Sequence, residues 1–157
     1  VAEDLGVITD DVKALRDRQG MPGMRILQFA FSGGPENPYL PFHHTENSVV
    51  YTGTHDNDTT LGWYRSLDDH ERALVDEYLG HSRDPMPWPL IHAALMSTAR
   101  LAAVPLQDLL GLDGSHRMNL PGTTEGNWTW RFDWDQVPSD LAEQLRHLVW
   151  MAGRLPD

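Results

Sequence analysis

Ser48-Val49-Val50-Tyr51-Thr52-Gly53-Thr54-His55-Asp56-Asn57-Asp58-Thr59-Thr60 is the stretch that decides the fold reading. Its first part, Ser48 to Thr52, is short, apolar and β-branched, and predicts a buried strand. Its second part opens with glycine and gathers carboxylates, an imidazole and hydroxyls, which predicts a polar loop at the strand's end. A rigid strand feeding a polar loop is a common way to place chemistry. The start of the chain has the same form: Val1-Ala2 enters as if in mid-strand, followed by Glu3, Asp4 and Gly6. Two acidic strand ends in one chain suggest a site shared between them.

Outward from these stretches, residues 9–19 predict a helix, with Thr9 as N-cap, Asp10 and Asp11 in the positive first turn, and Gly20 at the exit. Met24 to Phe31 is apolar and aromatic between glycines, and predicts a second strand. If so, Phe29 and Phe31 share a face. Residues 32–47, rich in Gly and Pro, predict a long loop. Asp68 to Leu79 predicts a helix with Asp68 and Glu71 in capping-box spacing. Leu90 to Ala103 is apolar on nearly every face and predicts a buried helix. Val104 to Leu106 is a candidate fourth strand interrupted by Pro105, and Ser139 opens a last amphipathic helix. Alternating strands and helices of this kind indicate an α/β sheet with crossover helices. Four strands followed by long loops amount to about half of an eight-stranded barrel, with polar clusters at the strand C-termini where such barrels keep their sites. There is no internal repeat or low-complexity segment.

The chain has 157 residues, a formal net charge of -11, 40% hydrophobic residues and six tryptophans. Those figures fit one domain or a piece of a larger one. The acidity argues against nucleic acid, whose phosphates need Lys and Arg, and against an anionic membrane face. No apolar run approaches the roughly 20 residues that span a bilayer. With no cysteine there is neither a disulfide framework nor thiolate chemistry. No signal-peptide pattern opens the chain, so the expected location is the cytoplasm, and Val1 is expected to continue a longer protein.

Glu3 and Asp56 form a candidate carboxylate pair, each following a strand. One carboxyl holding its proton and one ionised is the arrangement that breaks a glycosidic bond. The plainer alternative is that Glu3 caps the following helix and Asp56 the loop. His43, His44, His55, Asp56 and Asp58 match no strong metal spacing. A Gly-x-Ser-x-Gly elbow and a phosphate-binding glycine loop are both lacking. Trp63, Tyr64, Trp134 and Trp150 are expected to pack. Trp128 and Trp130 are the better candidates for a sugar-facing surface, although packing is the leading expectation there too.

Three longer strings carry a resemblance: Ala2-Glu3-Asp4-Leu5-Gly6-Val7-Ile8-Thr9, Pro22-Gly23-Met24-Arg25-Ile26-Leu27-Gln28-Phe29-Ala30-Phe31 and Tyr51-Thr52-Gly53-Thr54-His55-Asp56-Asn57-Asp58-Thr59-Thr60-Leu61-Gly62-Trp63-Tyr64. With Glu36-Asn37-Pro38-Tyr39-Leu40-Pro41, Arg100-Leu101, Gln107-Asp108-Leu109-Leu110, Arg117-Met118-Asn119-Leu120-Pro121-Gly122 and Gly126-Asn127-Trp128, the chain resembles the amylomaltases along its length. These are 4-α-glucanotransferases, or disproportionating enzymes, related to the α-amylases.

The resemblance implies an α/β fold, the C-terminal half of a (β/α)₈ TIM barrel of the α-amylase type. Residues 1–157 would supply strands five to eight, with the N-terminal half absent. It implies Glu3 as acid/base and Asp56 as the carboxylate that grips the transferred sugar. His55 and Asn119 would be further sugar contacts, with Phe29, Asn127 and Trp128 as additional substrate-binding candidates. It calls for no cofactor and no metal. The partner implied is a maltooligosaccharide or starch-derived glucan, with no nucleic acid and no membrane. The family's nucleophilic aspartate, in an Arg-x-Asp-His context, does not occur in these residues, so the chain alone is expected to be inactive. Its open sheet edges would offer a route to self-association. The alternatives are a hydrolytic α-amylase-like glycosidase and a non-catalytic glucan-binding fragment.

Overall fold

A computed structural model of the chain describes residues 1–155. Val49 and Val50, 4% and 0% exposed, lie at the centre of its sheet. In chain order the elements are α1 (Asp10–Arg18), β1 (Gly23–Ile26), β2 (Ser48–Tyr51), α2 (Thr60–Ser66), α3 (Asp69–Tyr78), α4 (Trp88–Met96), β3 (Leu101–Ala103), α5 (Leu106–Leu109) and α6 (Leu141–Met151). The architecture is α/β with a small parallel sheet in the order β1-β2-β3. Gly23 pairs with Ser48 and Ile26 with Tyr51, while Val49 pairs with Leu101 and Tyr51 with Ala103. On the free side of β1, Ala2 bridges Gly23 in parallel, its N–H donating to Pro22 O at 2.8 Å. All four segments therefore run the same way, and the polar loops emerge together at one end.

Helices cover the sheet because strands joined in parallel need crossovers. The core gathers Leu27, Val50, Leu90, Ala94 and Ala99, with Phe31 and Trp63 packed against it. α4 is buried through Leu90, Ile91, Ala94 and Leu95, in keeping with its uniformly apolar sequence. α3 begins with the expected capping box: Asp68 accepts from Glu71 N at 2.8 Å, and Glu71 accepts from Asp68 N at 3.1 Å. Beyond α6, Arg154 donates to the carbonyls of Leu95 (2.5 Å), Ser97 (2.7 Å), Ala99 (2.7 Å) and Arg100 (3.3 Å). One guanidinium thus satisfies carbonyls at the end of α4 and along the turn into β3.

Four expectations need correction. The strand expected over residues 24–31 stops at Ile26, and Leu27–Phe29 forms a 3₁₀ turn. That turn separates Phe29 from Phe31: Phe29 meets Tyr39 edge-on at 5.5 Å, whereas Phe31 packs on Trp63 and Tyr78. The helix expected over residues 90–103 ends at Met96, and Leu101–Ala103 pairs with β2 as a strand. Residues 104–106 are not a strand, since Pro105 is the N-cap of α5. Finally, Trp134 and Trp150 are 78% and 64% exposed rather than packed. In the described part of the chain, no helix is long and apolar enough to cross a membrane.

Candidate active site

β2 ends in Tyr51, and the chain then turns through Gly53 into the loop that carries His55 and Asp56. The approach is tight: a Cβ on Gly53 would lie 2.5 Å from Gln28 Nε2. Gln28, from the 3₁₀ turn after β1, donates instead to Asp58 O at 2.9 Å. Within the loop, Asn57 Oδ1 reaches back to accept from Thr54 N (2.9 Å) and Thr54 Oγ1 (2.8 Å), closing a local side-chain-to-backbone ring. These bonds leave His55 and Asp56 projecting from a fixed backbone.

Asp56 is half exposed, and Asn119 Nδ2 donates to its Oδ1 at 2.6 Å. His55 Nε2 lies 3.4 Å from the same oxygen. Arg117 donates from Nη2 to Asp56 O (2.9 Å) and from Nε to Asn119 O (2.8 Å), so it ties the two segments together. Trp128 lies against His55, with ring centroids 4.9 Å apart and planes tilted by 41°, and is 56% exposed. Its φ of 63° lies in the left-handed region that a bulky residue rarely enters. Its N–H is held by Met118 O at 2.8 Å.

Glu3 is exposed, one residue past the Ala2 bridge. Its neighbour Asp4 is fixed by Met24 N at 2.6 Å, by Arg25 Nη1 at 3.3 Å and by Arg16. Burial alone would raise the Asp4 carboxyl, but the Met24 N–H and the two guanidiniums outweigh it and hold it below the usual carboxylate range. A Cβ on Gly23 would lie 2.5 Å from Asp4 Oδ2, so glycine is what lets that carboxylate settle against β1.

Glu3, Asp56, His55 and Phe29 line one open cavity of about 700 Å³, floored by Ile26 and Tyr51. The two carboxylates arise one strand apart, with β1 between the Ala2 bridge and β2, and face the same space. Of the residues predicted from sequence, Asn119 joins this group through Asp56 and Trp128 through His55. Asn127 does not: its Oδ1 accepts from Leu120 N (2.9 Å) and its Nδ2 donates to Thr123 O (3.0 Å), so both ends of the amide shape their own loop. Trp130 is also turned aside, its Nε1 donating to His116 Nδ1 at 3.1 Å. His43 and His44 point their Nε2 atoms at the carbonyls of Pro35 and Tyr39. Among the described residues no three His, Asp or Glu side chains gather as a metal site. Sequence reasoning missed Asp4, Gln28 and Arg117 as supports. The only signals for them were their places beside Glu3, opposite Gly53 and two residues before Asn119.

A family model described as 4-alpha-glucanotransferase matches residues 1–136. The chain is 48% identical to the 4-alpha-glucanotransferase of Thermus thermophilus, over 99% of this chain and 33% of that protein. It is 50% identical to the 4-alpha-glucanotransferase of Synechocystis, over 98% of this chain and 31% of that one. In structure it resembles an amylomaltase from Streptococcus agalactiae solved in complex with acarbose, with a TM-score of 0.94, 29% identity, and coverage of 99% of this chain and 32% of the other. The chain therefore spans about a third of the length of the curated relatives it matches.

Proposed function

The chain belongs to the 4-alpha-glucanotransferase family, and on that premise we propose that its full-length protein transfers α-1,4-glucan segments between maltooligosaccharides by a retaining double displacement. The observation that carries this reading is the cavity lined by both Glu3 and Asp56 at one end of a parallel sheet. In a retaining enzyme two carboxyl groups about 5–5.5 Å apart act as acid/base and nucleophile. Glu3 is assigned the acid/base role, giving a proton to the leaving glycosidic oxygen and later taking one from the acceptor hydroxyl. Asp56 is assigned to the sugar hydroxyls and to the charge that develops at the transition state. Asn119 and His55 bear on one of its oxygens, and the other makes no hydrogen bond among the described residues. Phe29 offers an apolar wall to the same cavity and Trp128 an exposed aromatic face.

The nucleophile is assigned to an aspartate outside these 157 residues. Residues 1–157 are read as the C-terminal half of a (β/α)₈ barrel of the α-amylase type, with Ala2, β1, β2 and β3 as strands five to eight. That reading is supported by the four parallel segments and by the third of the relatives' length that is matched.

The test is maltotriose supplied to the full-length protein. Transfer yields glucose and a ladder of longer glucans; hydrolysis yields no ladder. Replacing the acid/base, Glu3→Gln, is expected to remove turnover by at least about a hundredfold. The 157-residue chain alone is expected to release no glucose, and dose-dependent release from it would overturn the split site.

A further inference from the structure

Asp108 takes no part in the cavity just described, yet it is 1% exposed and accepts three hydrogen bonds. Thr52 Oγ1 donates to its Oδ2 at 2.6 Å and Thr60 Oγ1 to the same oxygen at 2.7 Å. Thr60 N donates to its Oδ1 at 2.7 Å. Thr52 is the residue after β2, and Thr60 is the first residue of α2; both are 0% exposed. The segment between them, residues 53–59, carries His55 and Asp56.

From this geometry we infer that Asp108 is a positioning residue for the proposed transfer reaction: its carboxylate, presented by α5, clamps both ends of the loop that aims Asp56 and His55 at the substrate. The inference rests on the functional reading above.

The chemistry of the clamp is specific. Three donors converge on two oxygens, which a carboxylate accepts without a donor of its own. An amide at this place keeps one acceptor for Thr60 N–H, but its NH₂ then faces two hydroxyls that must turn round and lose their acceptor. A serine hydroxyl in place of Thr52 keeps the bond, whereas valine keeps the shape and loses it. Arg117 holds the middle of the same loop through Asp56 O, and Gln28 holds its far end through Asp58 O. With ends and middle held, the loop backbone has little room to drift, and a shift of about 1 Å in a catalytic group is enough to cost up to a hundredfold in rate.

The experiment uses the full-length protein with Asp108→Asn, Thr52→Val and Thr52→Ser. Turnover of maltotriose is measured below the unfolding temperature of each variant, and hydrogen exchange of peptides spanning residues 53–60 is measured without substrate. Asp108→Asn and Thr52→Val are expected to lower kcat by about ten- to a hundredfold with KM within about twofold, and to speed exchange over 53–60 alone. Thr52→Ser is expected to match the parent in both. Wild-type kcat in the Asn and Val variants overturns the inference, as does a Ser variant impaired like Val. A parent protein with no transfer activity would instead sink the functional reading. The exchange experiment still decides the clamp in that case: unchanged protection over 53–60 refutes it.

Discussion

Two buried carboxylates, Asp4 and Asp108, hold the two loops of the candidate site, and they are held in opposite ways. Asp4 sits beside Glu3 and faces Arg16, Arg25 and the Met24 N–H. Asp108 holds the loop of Asp56 with two hydroxyls and one amide, and no cation pairs with it among the described residues. The reason is position. Asp4 lies where α1 can send Arg16 in from the surface, its side chain 18% exposed. Asp108 lies among fully buried threonines, where a guanidinium would have to be desolvated as well.

Burial pushes both carboxyls up. At Asp4 the backbone N–H and the arginines reverse that push. At Asp108 the threonine donors do not, and the nearby Asp58 adds to the rise. One task, anchoring a loop, is thus done once with compensated charge and once with oriented dipoles.

The contrast predicts unequal penalties. Asp4→Ala leaves Arg25 without its counter-charge and Arg16 with only the exposed Asp17, and should lower stability by about 3 kcal/mol, at the lower end for broken buried pairs. Asp108→Asn should lose about 1–2 kcal/mol, because hydroxyls can reorient. Urea unfolding of the full-length variants measures both, and the reverse order would break the contrast.

A smaller effect concerns the glycines that admit the carboxylates. Gly23→Ala places a methyl 2.5 Å from Asp4 Oδ2, an oxygen that the arginines hold in place, and should cost about 2 kcal/mol. Gly114→Ala meets Asp58 Oδ1 at 2.7 Å. That carboxylate bonds through Oδ1 to Thr59 N at 2.7 Å and can swing, so about 1 kcal/mol is expected. Equal melting shifts for the two would show that Asp4 is no more fixed than Asp58.

The smallest effect is in pH. The stabilisation from Asp4 is complete above the ordinary carboxylate value of 3.8 and disappears as pH falls through its lowered folded value. That from Asp108 is complete below 3.8 and diminishes as pH rises through its raised folded value. The deficit of Asp4→Asn should therefore shrink on acidification, and that of Asp108→Asn should grow. Urea titrations between about pH 3 and pH 6 separate the two signs.

Much of this is legible in the sequence. Val49 and Val50 announced β2 because a β-branched run between a loop and a glycine has few other uses. The Asp68–Glu71 pair announced α3 because a capping box is a local, reciprocal bond. β3 was not legible: Leu101, Ala102 and Ala103 suit a helix by propensity, and only pairing with Val49, Val50 and Tyr51 makes them a strand. The end of β1 was hidden for a similar reason, since an apolar run does not reveal that Gln28 turns inward to reach Asp58 O. At the site, Glu3, His55, Asp56 and Asn119 stood out through their strings. Asp108 lies in Gln107-Asp108-Leu109-Leu110, a string that carries the resemblance but gives Asp108 no role of its own. Its meaning appears only when Thr52 and Thr60 arrive from elsewhere in the chain.

The Arg154 guanidinium makes the two ends of this architecture mechanically dependent. By holding four carbonyls between Leu95 and Arg100, it latches the final helix onto the ramp that leads into β3. Loss of that one side chain would remove those four bonds at the foot of β3, whose far end, Ala103, lines the cavity wall together with Pro105. A residue remote from Glu3 and Asp56 is thereby joined, through one short strand, to the wall of the cavity they line.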